Sequence, residues 1–112
     1  MPETLPKNSR KPRTTAPIND AYGHLQPQAL DVERAVLGAL MVDKDAYAMI
    51  CEILNPDSFY EHRNQLIYTA IRNLSVEEKP VDMLTVTEQL SREGALEEVG
   101  GPMYITDLCA HV

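Results

Sequence analysis

The stretch of this sequence most like a ligand loop is Gly100-Gly101-Pro102, which follows Glu97-Glu98-Val99. A phosphate loop needs glycines that free backbone N–H groups and a lysine that meets the phosphates, spaced as G-x-x-x-x-G-K-S/T. The glycines are Gly23, Gly38, Gly94, Gly100 and Gly101, and none precedes a lysine. Glu97 and Glu98 would also repel a phosphate. The same residues fit a joint between helices. Gly100 suits the C′ position that closes one turn, Gly101 the N-cap of the next helix, and Pro102 the N1 position of that helix.

Other chemistry is sparser. His24, His62 and His111 are scattered, and no C-x-x-C or H-x-x-x-H spacing gathers metal ligands. Neighbouring acids Glu77/Glu78 and Glu97/Glu98 point apart on a helical turn, so they form no acid–base pair. No nucleophile motif of the G-x-S-x-G or Cys–His kind occurs. The residues therefore predict no catalytic, cofactor or metal site in this chain, and point to an interaction module. Cys51 and Cys109 each sit in an apolar helical stretch and read as reduced thiols of a cytoplasmic protein, with a Cys51–Cys109 bridge as the alternative.

Charge separates the chain into two parts. Residues 1–24 carry four basic side chains against two acidic ones, with Pro2, Pro6, Pro12 and Pro17 among polar residues. Proline removes donors and there is little apolar surface to bury, so this part reads as a disordered, basic leader that begins at a true N-terminus. Residues 25–112 carry six basic against fifteen acidic side chains, a balance of −9 that repels phosphate backbones. Hydrophobic residues make up 44% of the 112, enough for a packed core, and no apolar run is long enough to span a membrane.

The elements that must position these residues follow an i, i+3, i+4 rhythm. A first helix is predicted over Ala29–Val42, with Val32, Ala35, Val36, Ala39 and Leu40 as its core stripe and Leu30, Leu37 and Met41 as a second. Gly38 lies inside it, where glycine is costly unless another helix approaches closely. A second helix spans Asp45–Leu54, with Tyr47, Ile50, Cys51 and Leu54 on one face. Asn55 stops it or caps a new turn opened by Pro56, and Ser58 reads as a turn residue. A third helix, Glu61–Ser75, turns Leu66, Ile67, Ala70, Ile71 and Leu74 inward and Arg63, Gln65, Arg72 and Asn73 outward. Asp82 caps a fourth helix, Met83–Arg92, which buries Met83, Val86 and Leu90, and Gly94 closes it. After a short turn at Leu96–Val99, a last helix from Met103 to at least Ala110 turns Tyr104, Ile105, Leu108, Cys109 and Val112 inward. The expected fold is all-α, a compact globule of five or six short helices.

Four stretches carry a family resemblance. Asp31–Met41 (DVERAVLGALM), Leu54–Ile71 (LNPDSFY…LIYTAI), Pro80–Leu90 (PVDMLTVTEQL) and Gly94–Leu108 (GALEEVGGPMYITDL) resemble, in order and in register, the N-terminal domain of the bacterial replicative DNA helicase, the DnaB family. Together they cover about Leu25 to Val112. One departure is Asn64, where the family often has histidine; on a surface helix either residue fits. The resemblance implies a helical head in the collar of a hexameric ring, commonly a trimer of dimers, that helps assembly and positions primase and, in some bacteria, a loader. It implies that ATP, Mg²⁺ and single-stranded DNA are handled by a separate C-terminal ATPase domain, which this chain lacks. It also implies that the chain ends before a helical hairpin that makes much of the dimer contact. Two other readings are the helicase-binding domain of a primase and a helical nucleic-acid adaptor.

Overall fold

The computed structural model describes residues 27–112, and among these every regular element is helical. The expected leader over 1–24, with His24, lies outside the described residues. The helices are α1 (Pro27–Val42), α2 (Ala46–Ile50), α3 (His62–Val76), α4 (Met83–Arg92) and α5 (Gly101–Ala110), with a 3₁₀ turn at Pro56–Ser58 between α2 and α3. Asp31–Val112 forms one compact unit.

Helix α3 is its centre. Ile67, Tyr68, Ala70, Ile71 and Leu74 are all buried along it, which fills more than one side of the helix. It packs against the 3₁₀ turn and α4, and α4 packs against α5. The core around it is mainly aliphatic, with Leu37, Leu40, Val86, Leu90, Val99, Ile105 and Leu108 almost wholly enclosed. Phe59 and Tyr68 add a tilted ring pair with centroids 5.1 Å apart, extended by Tyr47 at 6.1 Å from Tyr68. The Tyr68 hydroxyl donates to the Leu54 carbonyl, so the buried ring keeps its polar tip satisfied.

Several expectations from periodicity are corrected. On α1, Val32 is 59% exposed and Ala35 is also open, while Leu37, Leu40 and Met41 are buried. The inward face thus joins Leu37 and Met41 of the second stripe to Val36 and Leu40 of the first, and it is continued one turn earlier by Glu33 rather than by an apolar residue. Helix α2 ends at Ile50, not Leu54. Leu54 is followed by Asn55 in an extended conformation (φ −135°, ψ 174°), which the ring of Pro56 favours in the residue before it. Met83 is 43% exposed because the inward row of α4 runs Val86, Gln89, Leu90 and leaves Met83 at the rim. Val112 is 62% exposed, since α5 stops at Ala110 and the face does not continue. Cys51 and Cys109 are free thiols, each half-buried rather than sealed in the core.

Local chemistry sets the helix ends. Asp82 accepts the Thr85 backbone N–H (2.9 Å), while the Thr85 hydroxyl accepts from the Asp82 N–H (2.9 Å), a reciprocal capping box. Asn55 and Ser58 make the same box around Pro56. Three helical segments close with the same pair of backbone bonds. After α3, Glu78 N–H meets Ser75 C=O and Lys79 N–H meets Leu74 C=O. After α4, Gly94 meets Ser91 and Ala95 meets Leu90, and after the 96–99 turn Gly100 meets Glu97 and Gly101 meets Leu96. Each is a Schellman closure, which requires a left-handed residue at C′. Gly94 (φ 74°) and Gly100 (φ 109°) supply it without strain, whereas Glu78 (φ 59°) does so as a non-glycine.

Candidate functional site

Gly38 is buried, and a Cβ built on it would lie 2.3 Å from the Leu108 carbonyl oxygen and 2.5 Å from Val112 Cγ2. Its role is therefore the close passage of α1 against α5, since backbone cannot shift aside. Gly100 and Gly101 both have positive φ, 109° and 73°. Gly100 is the residue that caps α5 and Gly101 already opens it, one position earlier than the spacing suggests. The reason is that the closure of the preceding turn consumes both N–H groups, so one glycine serves as its C′ and the other as C″. Pro102 follows within the first turn, where its missing N–H costs nothing. Asp82 and Gly94 bound α4 at its two ends. These six residues mark joints at separate places and do not converge.

A polar cluster that periodicity does not reveal joins α1, α3 and α5. Glu61, the residue before α3, makes no side-chain cap. Instead the Tyr60 and Glu61 backbone N–H groups both donate to the Glu33 carboxylate on α1, so a side chain 27 residues away caps the helix. Asn64 is wholly buried, not on the surface as expected. Its amide nitrogen donates to Glu33 Oε1 (2.9 Å) and its oxygen accepts from the Tyr104 hydroxyl (2.7 Å). Arg63, expected to point away, lies over the Tyr104 ring at 3.8 Å from its centre and donates to Glu61 Oε2 at 3.1 Å. Gln65 also turns back, its amide reaching the Phe59 carbonyl at 2.7 Å.

Burial pushes the Tyr104 hydroxyl above its ordinary pKa, against the opposing pull of the Arg63 charge. Arg34 is held more firmly protonated, chiefly by its 2.6 Å hydrogen bond to Asp31. Both Glu33 oxygens already accept N–H donors, so this carboxylate positions helices. His62 is 3.1 Å from Glu98 and His111 is 3.4 Å from Asp107, both as exposed pairs. Among the described residues no three His, Cys, Asp or Glu side chains gather as a metal site, and no helix is long and apolar enough to cross a membrane. The sequence signal for the cluster is a single one: Glu33 lies on the buried stripe of α1, four residues before Leu37.

Comparison with known proteins adds identity to this geometry. The model of the DnaB-like helicase N-terminal domain matches residues 25–112. The chain belongs to this family. It is 40% identical over 114 aligned residues to a replicative DNA helicase DnaB of Rhodothermus marinus, covering 99% of this chain and 12% of that protein. It is 43% identical over 95 residues to the replicative DNA helicase DnaC of Bacillus subtilis, covering 85% of this chain and 20% of the relative. The crystal structure of the N-terminal domain of DnaB helicase from Mycobacterium tuberculosis superposes with a TM-score of 0.71 at 38% identity, over 78% of this chain and 62% of that one. The DnaB-type helical head is thus the fold seen here, and the matches favour the helicase over the primase or adaptor readings. The chain spans no more than about a fifth of these two full-length relatives.

Proposed function

We propose that this chain is the N-terminal collar domain of a cytoplasmic replicative helicase, working through protein–protein contact. It helps assemble a hexameric ring, built as a trimer of dimers, and holds primase or a loader at the replication fork. The observation that carries the reading is the family match across residues 25–112, joined to relatives whose names are those of replicative helicases. The balance of −9 over that span supports it, because such a surface disfavours phosphate backbones. ATP, Mg²⁺ and single-stranded DNA then belong to a separate ATPase part of the whole protein, and this domain needs no cofactor. The test is twofold. The 112-residue chain gives no ATP turnover above background, and any robust hydrolysis overturns the reading. In sedimentation, a longer protein carrying this domain assembles as a hexamer, and deletion of residues 25–112 weakens that assembly or its capture of primase. Unchanged assembly and unchanged capture after deletion count against it.

A further inference from the structure

Four of the five methionines lie among the described residues, and they stand in opposite environments. Met41 on α1 is 4% exposed and belongs to the same buried cluster as Leu37 and Leu40. Its thioether faces the Cys109 thiol of α5, with the two sulfurs 4.0 Å apart. Met83, at the start of α4, is 43% exposed. Met49 on α2 and Met103 in the first turn of α5 are 73% and 81% exposed.

Packing fixes this difference. On α5 the buried row Tyr104, Ile105 and Leu108 sets the rotation of the helix, and the Tyr104 hydroxyl pins it further by donating to Asn64 at 2.7 Å. Met103, Thr106 and Ala110 are left on the outer side. On α2, Ala46 turns in and Met49 turns out. A thioether reacts with oxidants without first losing a proton, so access sets its rate, and access here runs from nearly none to nearly complete.

We propose that Met103 and Met49 are the methionines at which a peroxide oxidises this domain while the fold stays intact, and that Met41 is the guarded one. In the step, a sulfur lone pair attacks one oxygen of hydrogen peroxide. The S–O bond forms as the O–O bond breaks, and the departing hydroxide takes the proton of the transferred oxygen and leaves as water. Sulfur gives up two electrons and the peroxide receives them. At Met103 and Met49 the new sulfoxide dipole is solvated by water. At Met41 it enters an apolar cluster where the weak Cys109 thiol is the donor at hand, and an unpaired buried dipole opposes folding. The product is polar where the parent side chain is apolar, and sulfoxide reductases reverse it, so the surface carries a reversible chemical mark.

The test is a hydrogen peroxide time course on the 112-residue chain, followed by tryptic digestion and mass spectrometry. Cleavage after lysine and arginine puts Met41, Met49, Met83 and Met103 in four different peptides, spanning 35–44, 45–63, 73–92 and 93–112. Fragment ions separate Met49 from Cys51 and Met103 from Cys109. Met103 and Met49 gain their oxygen at least about tenfold faster than Met41, with Met83 between them. Helical circular dichroism is unchanged when Met103 and Met49 are fully converted, and it falls only as Met41 reacts. In urea the four methionines react at one rate. The double variant Met49→Leu, Met103→Leu keeps the parent's helicity and loses the fast phase of methionine oxidation. Equal rates at Met41 and Met103 in the folded chain, helicity lost in step with Met103 conversion, or a fast phase that persists at the remaining methionines of the double variant overturns the proposal.

Discussion

Helix α3 begins and ends in opposite ways. Just before its first turn the Tyr60 and Glu61 N–H groups are taken by Glu33 from another helix, Asn64 is buried beside them, and Arg63 covers Tyr104. At its last turn the chain closes on itself through Glu78, and Val76 beside it is exposed. The first end pairs Asn64, Glu33 and the Tyr104 hydroxyl with one another; the second leaves a left-handed glutamate and an exposed valine in place. The contrast teaches where to look for function in a domain without catalytic groups. A saturated network holds helices, whereas an unsaturated edge is free to meet a partner.

The sharpest way to break this contrast is at the saturated end. Glu33→Ala removes the acceptor of two backbone N–H groups and of the Asn64 amide at once. Leaving such donors unpaired costs on the order of 3 kcal/mol, read as a lower midpoint in urea unfolding. Glu33→Gln, which retains one carbonyl acceptor, costs less. A Glu33→Ala variant as stable as the parent means that water satisfies the helix start and that the end is not saturated.

Asn64 comes next. Asn64→Leu is similar in shape though larger, and it removes the acceptor of the Tyr104 hydroxyl and one of the two donors to Glu33 Oε1, for a loss of about 2 kcal/mol. Asn64→His stays within about 1 kcal/mol, because an imidazole offers one donor and one acceptor to the same two partners. Equal losses for the two variants would mean that packing, not hydrogen bonding, is what the site requires.

These two residues also mark the border of what the sequence makes legible. The reciprocal cap of Asp82 with Thr85, the closure at Gly94 and the role of Gly100 all depend on residues within five positions, and local chemistry predicts them. Gly38 is legible as a close approach, though not its partner Leu108. Glu33 is legible only as an acid on the buried stripe and Asn64 not at all, since their partners lie 27 to 40 residues away and only the tertiary fold brings them together. The same limit misplaced Val32 and Met83. Periodicity gives the width of an apolar stripe, and the neighbours decide which edge of it is covered.

The closures give a finer comparison, because the same backbone motif occurs with glycine and with glutamate. Gly100→Val puts a β-branched residue at φ 109° and sets its Cβ 3.1 Å from Tyr104 Cβ. The left-handed strain costs about 1–2 kcal/mol, with the crowding at Tyr104 adding to it. A thermal unfolding midpoint unchanged from the parent would mean that the joint adjusts freely, and that the network beside it is not rigid.

Glu78→Gly is the reverse substitution in the matching closure, and it is the smallest effect with the opposite sign. It replaces a strained left-handed glutamate (φ 59°) in a closure whose backbone bonds, Glu78 to Ser75 and Lys79 to Leu74, stay in place. Relief of that strain outweighs the added chain entropy of glycine, for a gain of up to about 1 kcal/mol. The side chain is exposed and the closest ion pair nearby is Lys79 with Glu77, so little else is lost. A higher unfolding midpoint for Glu78→Gly than for the parent shows that the fold prefers glycine there. A less stable variant instead assigns Glu78 to the fold, and the two ends of α3 then differ in degree and not in kind.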